Sequence, residues 1–347
     1  MMVPVGAGQR GGRAVEVVAG VGMRTLGSTG LPVTPVGLGL AAVGRPAYIT
    51  LGRSQDLGTE RSVDDLRRRC HELLDAAYDA GVRYVDAARS YGRAEEFLAE
   101  WLRLRGLERG DLTVGSKWGY TYTGDWRMDA EVQEVKDHSL ATLQRQYGES
   151  RGLLGDHLRL YQIHSATLES GVLEDTAVLH ELARLREAGQ VIGLTTSGPR
   201  QREALERALA AEVDGTNPFA SVQATWNLLE PSAGPALAEA SRRGWGVIVK
   251  EAVANGRLTP HGLGAEQRVL HRVADRHGTS VDAVAIAAVL ANPWVDVALS
   301  GAVNPRQLGG NLAAEGLELD ADDLAELARL AMPPERYWAE RGELPWV

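Results

Sequence analysis

The feature that most constrains this chain is an alternation. From about residue 33 to residue 315, short β-rich runs and amphipathic helical stretches take turns. The clearest helical stretch is 64–80, where Leu66, Cys70, Leu73, Leu74 and Ala77 fall on one face. Ser62 and Asp65 form a capping box ahead of it, and Gly81 is a natural stop after it. A β-rich run over 82–85 follows and ends on Asp86. The same pattern predicts helices over 95–104, 130–147, 177–188, 201–211, 235–243 and 281–291. It predicts strands over 112–116, 158–163, 191–194, 220–224, 245–249 and 295–299, and a first strand over 36–40 brings them to eight.

Eight βα units without a compositional break predict one α/β domain, a (β/α)8 TIM barrel. The rival is an open doubly wound sheet, which announces itself by a glycine fingerprint after the first strand, and none is present. The opening MRTLGSTGLPVTPV predicts an N-terminal β-hairpin turning at 28–30. An extra C-terminal helix over 320–330 and a tail over 333–347 fall outside the eight units. Residues 1–22, rich in Gly and Val and without a period, are expected to be a disordered extension, which leaves 23–347 as a single domain. Long connections over 41–62 and 250–267 are expected to be functional rather than accidental.

A barrel of this size needs no disulfide or metal staple. The one cysteine, Cys70, allows neither an internal disulfide nor a thiolate zinc site, as suits a reducing cytoplasm. Its place on a helical face marks it for packing. The formal charge of −9, with no long basic run, argues against nucleic acid. No apolar stretch approaches the ~20 residues that span a bilayer, and the N-terminus lacks the compact apolar region of a signal peptide. The expected setting is cytoplasmic, with a small molecule as partner. His138, His157, His180, His261, His271 and His277 lack metal-ligand spacing and read as surface or packing residues, so no metal is expected.

Barrel chemistry sits at the carboxyl ends of the strands. There the second, third and fourth strands end on Asp86, Lys117 and His164, and Tyr91 lies just past Asp86. A lone strand-end Asp or His is usually structural; four ionisable residues in strand-end register are not readily so explained. Carbonyl reduction needs a hydride at carbon and a proton at oxygen. A tyrosine can give that proton, although its unperturbed pKa of ~10 is high for the task. A nearby ammonium is expected to lower it. A carboxylate would hold the lysine, and a histidine would orient the substrate oxygen. Among aromatics near this rim, Trp118, Tyr120, Tyr122 and Trp126 could line a pocket or pack the loop. Trp226 and Asn227 are further pocket candidates.

With these residues the chain resembles the aldo-keto reductases, from residue 23 to about 330. The resemblance rests on RTLGSTGLPVTPVGLGL, VDAARSYGRAEEFLAEWL, GSKWG, LYQIHS, VIGLTTSG, VQATWNLLEP and GAVNPRQLGGNLAA. The second segment is the most specific: Asp86, Tyr91, Gly92 and Glu95 match the family's catalytic loop. The resemblance implies a barrel, a nicotinamide cofactor (usually NADPH, with NADH the alternative), and reduction of aldehydes or ketones or the reverse oxidation. It places Thr195 and Thr196 where the family holds the nicotinamide amide with Ser and Asn, and it keeps Gln223. Where the family commonly stacks a Tyr on the nicotinamide, this chain has Lys250 followed by Glu251. Either Lys250 covers the ring with Glu251 as its charge partner, or it points away and Trp226 or another aromatic does so. At the adenosine end the helix opening near 304–305 offers N–H groups to phosphate. Arg306 or Gln307 could meet a 2′-phosphate, and Asn311 matches the adenine-side Asn.

The leading expectation is a carbonyl oxidoreductase with Tyr91 as proton donor. Two other readings stand beside it: a cofactor-binding sensor or partner subunit, and a redox-neutral, epimerase-like enzyme using Lys250 and Glu251. Oligomeric state is open.

Overall fold

A computed structural model describes residues 22–347. The expected extension over 1–22 lies outside the described residues apart from Gly22. The chain opens with a hairpin of β1 (Arg24–Thr25) and β2 (Pro32–Val33), then enters the barrel with β3 (Val36–Gly39) and β4 (Tyr84–Asp86). β5 (Thr113–Trp118) follows, then a second hairpin of β6 (Tyr120–Tyr122) and β7 (Glu134–Lys136). The barrel resumes with β8 (Leu158–Ile163), β9 (Val191–Thr195), β10 (Ser221–Thr225), β11 (Gly246–Lys250) and β12 (Val297–Ser300). Eight parallel strands close in the order β3-β4-β5-β8-β9-β10-β11-β12, with β12 returning to β3. This is the (β/α)8 barrel expected from the alternation.

The first hairpin plugs the amino-terminal mouth. Leu26, Leu31 and Val33 pack against Tyr84, Leu160, Ile248 and Val297 from four barrel strands. Gly27 makes that approach feasible. Its φ is +48°, and a Cβ would stand 2.4 Å from the Gly246 nitrogen. Asp296 pins the same corner by accepting from the Gly27 and Val247 amides at 3.1 and 2.8 Å.

Helix Val63–Asp79 begins with the capping box of Ser62 and Asp65, and buries the face from Leu66 to Ala77 with Cys70 in its middle. The region 130–147 departs from the expected single helix. Residues Glu134–Lys136 pair antiparallel with Tyr120–Tyr122, and the helix runs Leu140–Leu154. Ser139 accepts from the Thr142 amide and so sets the start later than the pattern suggested. The connection read as 250–267 ends at a helix the pattern did not predict, Glu266–His277, ahead of Val281–Leu290. The tail over 333–347 also holds a helix, Pro334–Gly342. It returns to the carboxyl-terminal face, where Ile49 and Trp346 form an antiparallel bridge.

Candidate active site

β4 ends on Asp86, and its carboxylate lies inside the barrel. It accepts from Tyr84 Oη at 3.2 Å and Gln223 Nε2 at 2.9 Å, and it takes an ion pair from Lys117 Nζ. The Lys117 ammonium also donates to the Ala87 carbonyl at 2.9 Å and to Tyr91 Oη at 3.3 Å. Lys117 is therefore fixed by three oxygens while buried, which a lone lysine would not tolerate. The loop carrying Tyr91 continues strand-like onto β5 through Ala87 N–Gly115 O and Arg89 N–Lys117 O, at 2.8 and 3.1 Å. Glu95 then clamps it, accepting from Ser116, Ser150 and Arg89 at 2.5, 2.7 and 2.6 Å.

His164 stands edge-on to the Tyr91 ring, centroids 5.5 Å apart at 83°. Burial, then the charges of Lys117, Lys250 and Arg45, push its pKa well below the ordinary value, so it is a neutral imidazole at neutral pH. Tyr91 departs from expectation. Burial, followed by the Asp86 carboxylate, raises the phenol well above its ordinary value, against the smaller opposing effect of Arg45. The Lys117 ammonium, expected to lower it, is outweighed by that burial and by the carboxylate it pairs with. Tyr91 is thus held as the protonated acid.

Asp86, Tyr91, His164, Gln223 and Lys250 line one cavity of about 400 Å³ at the carboxyl-terminal face. Lys250 therefore does not point away. Glu251, in the left-handed region at φ +57°, is bound by two nitrogens of Arg341 and by Thr225. Its closest charge partner is Arg341 rather than Lys250, whose Nζ lies 3.9 Å off.

Other sequence candidates fall elsewhere. Trp118 is wholly buried and packs edge-on to His138, outside the cavity wall. Trp226 lies against Trp294 at 5.8 Å, so it covers no ligand in this cavity. Asn227 is buried beneath the rim, donating to the Glu251 carbonyl and to Tyr337 Oη. Each belongs to the support rather than the lining. The sequence reading missed Arg45, Tyr48, Glu134, Trp338, Arg341 and Trp346, all on the cavity wall. Of these, Trp338, Arg341 and Trp346 come from the tail; its two tryptophans, far from any barrel strand, were the one available signal.

A second cavity, of about 290 Å³, adjoins the first along Thr50, Val253 and Gly301. Arg306, Gln307 and Asn311 line it. Asn304 caps helix Pro305–Leu312, Gln307 donates to Asp56 at 2.6 Å, and Asn311 donates to Ser300 at 2.7 Å. Arg306 is exposed and forms no ion pair among the described residues. Segment 49–51 crosses between the cavities, tied by Leu51 N to Asn255 O and by Asn255 Nδ2 to Ile49 O, both at 2.9 Å.

The family model described as Aldo/keto reductase family matches residues 49–331. The chain belongs to that family. It is therefore placed among oxidoreductases of carbonyls and alcohols that use nicotinamide cofactors. It is 25% identical over 281 residues to the aryl-alcohol dehydrogenase of Pestalotiopsis microspora, covering 74% of this chain and 71% of that one. It is also 25% identical over 333 residues to the pyridoxal 4-dehydrogenase of Microbacterium luteolum, covering 83% and 91%. Among solved structures, an aldo-keto reductase of Bacillus halodurans in its holo form is similar in fold. There the TM-score is 0.66 at 22% identity, covering 90% of this chain and 97% of that one.

The residues fit a nicotinamide dinucleotide. Gln223 is on the cavity wall, and its buried Oε1 has no hydrogen-bond partner among the described residues, as a group awaiting a carboxamide would be; Thr196 Oγ1 is also unpartnered but lies behind that wall. Thr195 is already engaged, its hydroxyl accepting from the Ser165 amide at 2.7 Å. The two adjoining cavities match a ligand with two heads, and the amide end of a capped helix faces the second.

Proposed function

We propose that this chain reduces an aldehyde or ketone, or oxidises the matching alcohol, with Tyr91 as the proton donor. The observation that carries the reading is the contact of buried Lys117 with Asp86 and Tyr91, which line one cavity together with a neutral His164. A bound reduced nicotinamide would supply the hydride. The chain's own part is to hold and protonate the oxygen. His164, kept neutral by burial, donates a hydrogen bond to the substrate oxygen without protonating it outright. Tyr91 is kept as the acid by the same burial, and it passes its proton as negative charge develops on that oxygen. The Lys117 ammonium, 3.3 Å from Tyr91 Oη, stabilises the phenolate that remains.

Gln223 would hold the carboxamide, with Thr196 close behind it, and Arg306 on the wall of the second cavity would meet a 2′-phosphate, so NADPH is the proposed form. Residues 23–347 act as one domain in the cytoplasm in this reading. Glu251 is a poor base for the redox-neutral alternative, which would have to rely on Lys250. Burial would raise the Glu251 carboxyl, but the Arg341 and Lys250 charges overcome it and hold the group at about 2. A carboxylate so acidic accepts protons poorly at neutral pH.

The test is loss of nicotinamide absorbance with NADPH and NADH in parallel, against aromatic and aliphatic aldehydes, for wild type and Tyr91→Phe. Consumption by the wild type, with at least a hundredfold lower kcat in the variant and cofactor affinity unchanged, is expected. Undiminished turnover in Tyr91→Phe would remove it as the acid. Cofactor binding without turnover in the wild type would favour a sensor.

A further inference from the structure

The charges around the catalytic cavity do not balance. Lys117 is paired with Asp86, Arg45 with Glu134 at 2.7 Å, and Arg341 with Glu251. Lys250 is a fourth cation, and three carboxylates serve all four. The only carboxylate within 4 Å of its Nζ among the described residues is Glu251, at 3.9 Å, whose oxygens are already bound by Arg341 and Thr225. Lys250 donates instead to Thr225 Oγ1 at 2.9 Å, which uses one of its three N–H groups. His164, neutral, adds no charge. In a molecule of net charge −9, this cavity therefore holds an excess positive charge.

The walls near that charge are aromatic. Tyr48, Tyr120, Trp338 and Trp346 line the cavity, and Lys250 Nζ is 5.9 Å from the centre of the Trp338 ring. Flat apolar walls favour a flat apolar ligand. A cation at their edge, with donors unspent and little access to water, favours an anion.

We propose that the substrate is an aromatic aldehyde or alcohol carrying an ionised acidic group, and that Lys250 is the counter-ion that selects it. This rests on the carbonyl-reductase reading above and adds the substrate class. A neutral aromatic substrate would leave the lysine unpaired as the cavity loses water; an anionic one completes the set. Lys250 also has a pH window. Burial lowers its pKa to about 8; Arg341 and Lys117 push the same way, while Glu251 and Asp86 oppose. These four groups, with the Thr225 hydroxyl and the Trp338 ring, face it from the neighbouring elements. Below about 8 it is an ammonium and above it an amine, so preference for the anion fades as pH rises through that value. A benzoate-type carboxylate stays ionised throughout.

The experiment compares kcat/KM for 4-carboxybenzaldehyde and its neutral methyl ester, with saturating NADPH, at pH 6.5 and 9.5. Wild type, Lys250→Met and Lys250→Arg are measured, and their melting temperatures are recorded. The ratio of the two substrates cancels any general effect of the substitution. The expected ratio in wild type at pH 6.5 is roughly tenfold to a hundredfold in favour of the carboxylate. It falls toward one at pH 9.5 and in Lys250→Met, and Lys250→Arg keeps it at both pH values. A wild-type ratio near one or below overturns the substrate class without disturbing the reductase reading, because the ester is still turned over. A ratio that survives in Lys250→Met overturns the role of the lysine. Turnover of neither aldehyde, nor of any other, sinks the reductase reading itself. The wild-type comparison decides the substrate class even if a variant fails to fold.

Discussion

His138 carries a testable charge effect at the scale of one residue. Its Nε2 donates to the carbonyl of His164 at 2.9 Å, and its ring sits edge-on to Trp118 and Tyr120. Burial, then the Lys136 charge, lowers its pKa to about 4. The unfolded value is near ~6.5, so the unfolded chain takes up a proton that the folded chain refuses. The resulting stability is present above ~6.5 and is lost as pH falls from there to about 4. The loss amounts to as much as about 3 kcal/mol. His138→Gln should show a flatter decline across that window by urea denaturation; parallel declines would mean the ring protonates freely in the fold. Strand-end register made Asp86, Lys117 and His164 legible in the sequence. It did not single out His138, because the ring reaches His164 only after β6 and β7 fold back, and no local spacing encodes that contact. The direction of the Tyr91 shift was hidden for a similar reason. The nearby ammonium was visible in the sequence, but the burial that outweighs it is a tertiary fact.

Among elements, the catalytic loop after β4 is set by the loop after β3. A Cβ on Gly44 would stand 2.4 Å from the Tyr91 carbonyl oxygen and 2.5 Å from the Ala94 Cβ. The Arg93 amide donates to the Gly44 carbonyl at 2.8 Å, so the two loops are bound at this point. Gly44→Ala must therefore displace the backbone that carries Tyr91. A cost of about 1–3 kcal/mol is expected from the overpacking. A fall in kcat of about tenfold or more is expected from the misplaced phenol. Urea denaturation and steady-state kinetics on the same preparation check both; full activity in a destabilised variant would show that the loop relaxes elsewhere. The periodic helices were readable because burial on one face leaves a regular trace. The stretch 130–147 was not, because its charged residues suit helix propensity. Pairing with Tyr120–Tyr122 over Glu134–Lys136 overrides that propensity.

Across the whole molecule, the tail closes a barrel whose strands all lie within residues 36–300. It is tied down at several points. Tyr337 accepts from Asn227 at 3.1 Å, Arg257 pairs with Glu340 at 3.0 Å, and Tyr48 and Val347 exchange backbone hydrogen bonds at 3.0 and 3.1 Å. None of this was legible from the barrel pattern, which describes only units that repeat. The strongest tie is Arg341 to Glu251, joining the last helix to the end of β11. The Glu251 side chain is 7% exposed and that of Arg341 is 23% exposed. Removing the cation alone leaves the buried Glu251 carboxylate only the Thr225 hydroxyl and the more distant Lys250 ammonium, so Arg341→Met should cost about 3 kcal/mol. Removing both charges is a different matter, since desolvation then offsets much of what the pair returned. Arg341→Met combined with Glu251→Gln should recover most of the lost stability in urea. If the double variant is as unstable as the single one, the tail is held by its packing and backbone contacts around Tyr337 and Trp346, and the ion pair only orders the wall beside Lys250.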